Sequence, residues 1–140
     1  MRRGRPILLI IIVIFTLNGC QKTVSEPSAS FQIEIINDCS TAVFGVHYEY
    51  FLGDRACGSG YIEKLDNTAY QTGDILAMDF TSEDFAADVD LSAFYVYLFI
   101  IDDNQREWPV DVNIAIDAEF GQTYTYHIQN GPDGYVLILD

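Results

Sequence analysis

Residues 93–101, Ala-Phe-Tyr-Val-Tyr-Leu-Phe-Ile-Ile, are nine unbroken apolar or aromatic positions rich in β-forming types. Such a run predicts a central strand with partners on both sides. Side chains alternate across a strand, so Phe94, Val96, Leu98 and Ile100 face one way while Tyr95, Tyr97, Phe99 and Ile101 face the other. A sheet with one buried face cannot accommodate both sets, and something must cover the second. The plainer cover is the irregular stretch Thr81–Ser92 with its Phe85; the other is a partner protein, a second copy or a glycan stacked on Tyr95, Tyr97 and Phe99. Trp108, the single tryptophan, lies on the adjoining hairpin and is a candidate for the same surface.

Shorter strands surround this one. Phe31, Ile33 and Ile35 alternate with Gln32, Glu34 and Ile36, the signature of a half-buried strand. After a turn at 37–40, Thr41–Leu52 continues as a second strand with Phe44, Val46, Tyr48 and Tyr50 on one face, and Gly53–Gly60 reads as turn chemistry throughout. Tyr61–Leu65, Ala69–Gln71 and Ile75–Phe80 follow as strands, and Ser82 is placed to cap a helical turn through Glu83, Asp84 and Phe85. A hairpin through 102–105 leads to Arg106–Val110, where Pro109 marks an edge or a bulge. Alternation at Val112, Ile114 and Ile116, then at Tyr124, Tyr126 and Ile128, and a closing Tyr135–Leu139 complete eight or nine short strands. This spacing predicts an all-β domain over residues 31–140, a two-sheet antiparallel sandwich.

The N-terminus is of another kind. Arg2, Arg3 and Arg5 precede the apolar run Ile7–Leu17, which ends in Leu17-Asn18-Gly19-Cys20. Eleven apolar residues fall short of the about 20 that a membrane-spanning helix needs. The segment resembles the signal of bacterial lipoproteins. That resemblance implies a signal peptide over 1–19, cleavage after Gly19, a lipidated Cys20, and an extracytoplasmic protein held to a bacterial membrane on the cell-surface or periplasmic face by acyl chains. Residues 20–30, polar and small, form a flexible tether.

Beyond residue 19, only Lys22, Arg55, Lys64 and Arg106 stand against twenty-one carboxylates, which rules against nucleic acid as a partner. With Cys20 assigned to lipid, Cys39 and Cys57 remain, eighteen positions apart in a chain expected outside the cytoplasm. They are expected to form a disulfide, closing a loop worth about 3 kcal/mol.

Catalytic motifs are missing: there is no Gly-x-Ser-x-Gly elbow, no His-Glu-x-x-His and no phosphate-cradling glycine loop. His47 and His127 read as solvent-facing strand histidines, and the chain is expected not to be an enzyme. A calcium site is the stronger chemical candidate. Asp79, Glu83, Asp84, Asp88 and Asp90 crowd into one irregular segment and Asp102 with Asp103 into a hairpin, supplying the hard oxygen ligands that calcium takes. Their spacing is not that of an EF-hand, and the alternative is an acidic, solvated loop.

The last forty residues, with Gly121-Gln-Thr-Tyr-Thr-Tyr126 before a glycine-rich turn and a final strand, resemble the ends of immunoglobulin-like or transthyretin-like modules of bacterial surface proteins. The resemblance implies a fold more than a function. The expectation is a membrane-anchored binding or envelope-structural module. Two variants of it are a calcium-dependent adhesion or assembly module and an accessory subunit docking through the 95–101 aromatic face.

Overall fold

The computed structural model describes residues 28–139. The expected signal peptide, Cys20 and most of the tether lie outside the described residues. Nine strands are present among them: β1 Ser30–Asn37, β2 Gly45–Leu52, β3 Arg55–Glu63, β4 Ile75–Thr81, β5 Phe94–Ile101, β6 Glu107–Pro109, β7 Ile114–Ile116, β8 Thr123–Gly131 and β9 Gly134–Leu139. They form two sheets, one ordered β4-β1-β8-β9 and the other β3-β2-β5 with β6 and β7 both on β5. The domain is all-β and mostly antiparallel; β1 and β8 are the parallel pair.

β1 carries out its alternation in full. Phe31, Ile33 and Ile35 are buried between the sheets, and Phe31 is the hub of the aromatic core. Its ring lies 5.1 Å from Phe80 on β4 and 5.0 Å, edge-on, from Phe94 on β5. β4, β5 and β8 follow the same rule, burying Leu76, Met78 and Phe80, then Phe94, Val96, Leu98 and Ile100, then Tyr126 and Ile128. Ring pairs in these offset and edge-to-face arrangements add roughly 0.5–1.5 kcal/mol each beyond the area they bury.

β5 is central, as the unbroken apolar run requires. β2 pairs along its whole length, and two short strands share its other edge: β6 opposite Phe99–Ile101 and β7 opposite Phe94–Val96. Between them the Val110 N–H still donates to Leu98 of β5 at 2.9 Å, Val110 bridges Tyr135 of β9, and the chain rejoins β5 at Ile114. The proline thus ends an edge strand, where its missing N–H costs no ladder bond.

The glycine-rich segment 53–60 departs from expectation. Only its first residues turn; from Arg55 it is a strand paired with β2. The two tyrosines facing the core explain why. A Cβ built on Gly58 would meet the Tyr50 hydroxyl at 2.6 Å, and one on Gly60 would collide with that of Tyr48. The tyrosine rings lie over the neighbouring strand and occupy the space of absent side chains, so glycine here serves close approach rather than a turn.

The expected Cys39–Cys57 disulfide is not formed: both thiols are free, Cys39 buried and Cys57 half-buried. Cys39 follows β1 at the end of the sandwich where Val43 bridges Tyr70, just before β2 begins. Cys57 sits at the bulge opposite Tyr50 and Phe51, five residues further along β2 from Gly45. At about 3.3 Å per residue that is roughly 16 Å of strand, against the ~6 Å between Cα atoms that a disulfide tolerates.

Asn37 closes the end of β1. It is fully buried; its amide donates to the carbonyls of Tyr70 (3.3 Å) and Gln71 (3.1 Å), and its oxygen accepts the Cys39 N–H (3.1 Å). Replacing it strands three backbone groups, each worth about 1–3 kcal/mol when buried without a partner. Asn37→Leu is expected to lower unfolding free energy by about 3 kcal/mol or more in urea titration. A loss below about 1 kcal/mol would show that these groups find other partners.

Candidate functional site

The outward face of the five-stranded sheet is built by strand parity. On β5 it presents Tyr95, Tyr97 and Phe99, while Ile101, expected on the same face, is buried at 3 % exposure; the register sets these three beside Phe51, Glu49 and His47 of β2, and places Tyr61 and Ser59 of β3 beyond His47 and Glu49. The rings shield one another laterally. Phe51 stacks on Tyr95 at 5.0 Å and 4°, while Tyr97 meets them nearly at right angles, 5.6 and 5.5 Å away. At the other end His47 is stacked between Tyr61 (4.4 Å) and Phe99 (5.3 Å).

No loop of the described residues covers this face. Phe85, the expected cover, instead packs into the core against Phe31, Tyr50 and Phe94 at 6.0–6.2 Å. Its segment is held to that side by Thr81, whose N–H and hydroxyl both donate to Asp84; the cap of the short helical turn Ser82–Asp84 is therefore Thr81 and not Ser82. Tyr97 is left 44 % exposed and Tyr61 60 %.

His47 departs from the expected solvent-facing histidine. Its side chain is only 12 % exposed, and Nδ1 lies 3.1 Å from Glu107 Oε2 on β6, with β5 between their strands. The Tyr61 hydroxyl donates to the other oxygen of Glu107 at 3.3 Å. Partial desolvation and the adjacent Glu107 charge push the Tyr61 phenol above its ordinary value. His127 pairs with Asp38 at 2.7 Å, outside this face.

Trp108 is the exception among the aromatic candidates. It pairs with Ile100, an inward residue, so it points to the opposite side of the sheet from Tyr95, Tyr97 and Phe99. Its Nε1 donates to Asp102 at 2.9 Å, and it lines an open cleft of about 480 Å³ with Asp102, Asp103, Asp133 and Tyr135. The single expected surface is two.

The acidic candidates are dispersed. Asp79 accepts from Gln32 on the outside of the other sheet, and Asp90 accepts the Ser92 N–H. Asp102 accepts from Trp108 Nε1 and from the N–H groups of Asn104 and Arg106, bonds that hold its carboxyl below the ordinary range. Asp103 accepts from the Asn104 amide. Glu83 lies in the short helical turn and Asp88 in the loop beyond it, at a positive φ of 57°. These two and Asp90 stand before β5, whereas Asp102 and Asp103 follow its far end. Among the described residues no three His, Cys, Asp or Glu side chains come together to hold a metal ion.

The chain matches no family model, no curated protein and no solved structure. What the face can do therefore rests on its own chemistry. Flat aromatic rings, few rotatable bonds and a carboxylate at Glu49 suit non-covalent contact with another molecule. Glu49, Phe51 and Tyr61 were not among the residues singled out from sequence; pairing parity with Tyr95, Tyr97 and Phe99 is the signal that finds them, and it needs the register.

The two thiols differ in a way that can be measured. Burial first, then the neighbouring Asp38 charge, push the Cys39 thiol from 9.0 to about 11, and its Sγ donates to the Ile128 carbonyl at 3.6 Å. Iodoacetamide at mildly alkaline pH is expected to label Cys57 in the native protein and Cys39 only after unfolding, as read by peptide mass mapping. Since the folded thiol keeps its proton above the point where an unfolded one releases it, Cys39 stabilises the fold fully below pH 9.0 and loses that contribution as pH climbs toward about 11. Labelling of Cys39 at the rate of Cys57 would contradict this placement.

Proposed function

We propose that this chain is a bacterial lipoprotein: an extracytoplasmic, non-catalytic module anchored by lipid at Cys20 that docks a partner protein through the outward aromatic face of its five-stranded sheet. The observation carrying the docking role is that Tyr95, Tyr97, Phe99, Phe51 and Tyr61 share one face with no loop of the described residues over it. Contiguous exposed apolar surface on a folded domain usually marks an interaction site. The anchoring role is supported by Arg2, Arg3 and Arg5, the eleven-residue apolar run and Leu17-Asn18-Gly19-Cys20.

The finer fold proposed is that of an immunoglobulin-like or transthyretin-like sandwich. Its support is the pairing of the first strand with both an early antiparallel strand and a late parallel one. The tether would keep the domain close to the bilayer: the nine residues from Gln21 to Ala29 reach at most roughly 30 Å when extended.

Two measurements test the parts separately. Cys20→Ser is expected to abolish fatty-acid labelling and release the protein from the membrane fraction; equal labelling of the variant would remove the anchor assignment. For docking, a photo-crosslinking phenylalanine analogue at Tyr97 is expected to give discrete adducts in cells, and the same analogue at Glu34, on the outer face of the other sheet, none. Absence of adducts at position 97 would remove the docking role while leaving the anchor untouched.

A further inference from the structure

Glu49 stands out among the carboxylates of the aromatic face. It sits between Tyr97 on β5 and Ser59 on β3, with His47 and Phe51 two residues either side on β2. Glu107 on the same face is engaged by His47 and Tyr61, but Glu49 accepts no hydrogen bond and forms no ion pair among the described residues. Beside it lies an open depression of about 380 Å³ lined by Glu49, Phe51, Ala56, Cys57, Gly58 and Ser59. Its β3 side is low because those residues are small, so the way from the sheet edge to Glu49 is unobstructed.

We propose that this depression receives an arginine side chain from an extended segment of a partner protein, with Glu49 as its counter-charge and the Phe51 ring as its aromatic wall. The proposal rests on the docking role above and names the partner's chemistry. A half-buried carboxylate without a partner, set among aromatic rings, favours a cation over a neutral ligand. The charge gains a partner in a partly desolvated place, and the ring faces attract the same cation. Guanidinium suits the geometry better than ammonium, since it is planar, stacks on rings and binds a carboxylate through two N–H groups.

β3 supplies the backbone half of the site. It pairs with β2 alone among the described residues, so the ladder groups on its other edge are open to an added strand. A strand laid there would direct alternate side chains onto the aromatic face, and a long one would cross the small residues of β3 to Glu49. A second copy of the chain is a poor occupant, because with twenty-one acidic and seven basic residues two such surfaces repel.

The test uses the full chain in mild detergent and a fluorescein-labelled peptide alternating arginine and serine, read by anisotropy at physiological ionic strength. The expected result is saturable binding that Glu49→Gln weakens by about tenfold, the scale of one lost charge-assisted contact. Glu34→Gln makes the same charge change on the other sheet and is expected to stay within about twofold, as for a distant exposed charge. Melting temperatures of both variants check that the fold is kept. A peptide with citrulline in place of arginine should bind about tenfold more weakly.

Equal losses from Glu49→Gln and Glu34→Gln would overturn the site, since binding would then follow net charge alone. Citrulline binding as well as arginine would overturn the cation. No binding of the arginine peptide would also overturn the inference, while adducts at Tyr97 in cells would keep the docking role standing with a partner of other chemistry, a glycan-bearing one included.

Discussion

β5 carries apolar side chains on both faces, and a structure of two layers can bury only one of them. The rest of the architecture accommodates this. Phe94, Val96, Leu98 and Ile100 take the inner position against Phe31 and Phe80, which fixes β5 at the centre of its sheet and demands partners on both edges. The outer residues cannot be hidden by register, because a slip of one residue would only exchange the two sets. Tyr95, Tyr97 and Phe99 are instead shielded laterally by rings from β2 and β3, which leaves Tyr97 and Tyr61 exposed, whereas Ile101 at the end of the strand is buried.

That lateral shielding depends on how β2 and β3 meet. Tyr48 and Tyr50 reach inward over Gly60 and Gly58, drawing β3 close on the core side. The depression on the outside comes instead from Ser59 and Ala56, the small residues that the register sets opposite Glu49 and Phe51. At the far end, Asn37 ties β1 to the 70–74 turn through groups that would otherwise be buried without partners.

Much of this was legible from residue alternation. β1, β4, β5 and β8 each bury every second residue against a single core, and period-two patterns report that directly. The segment 53–60 misled because glycine is a turn signal in isolation, and only the tyrosines of the adjacent strand reveal its use in close packing. The disulfide expectation failed on geometry that spacing cannot contain: Cys39 and Cys57 lie at opposite ends of β2. For the site, Tyr95, Tyr97 and Phe99 followed from parity within one strand. Trp108 was grouped with them by proximity in the chain, whereas its pairing with Ile100 turns it to the other side. Glu49 carries no mark in sequence, for a lone carboxylate on a strand is ordinary until register sets it among rings without a partner.

The central claim is that the outer face of the five-stranded sheet is open. Laser-induced nuclear polarisation of the full chain, with a flavin dye that touches only accessible rings, tests it most directly. Strong signals are expected from Tyr61 and Tyr97, which are 60 % and 44 % exposed, and none from Tyr126 and Tyr135, which are 5 % and 8 % exposed. Silence from both Tyr61 and Tyr97 in the folded protein would mean that the face is covered, and the account of an open docking surface would be wrong.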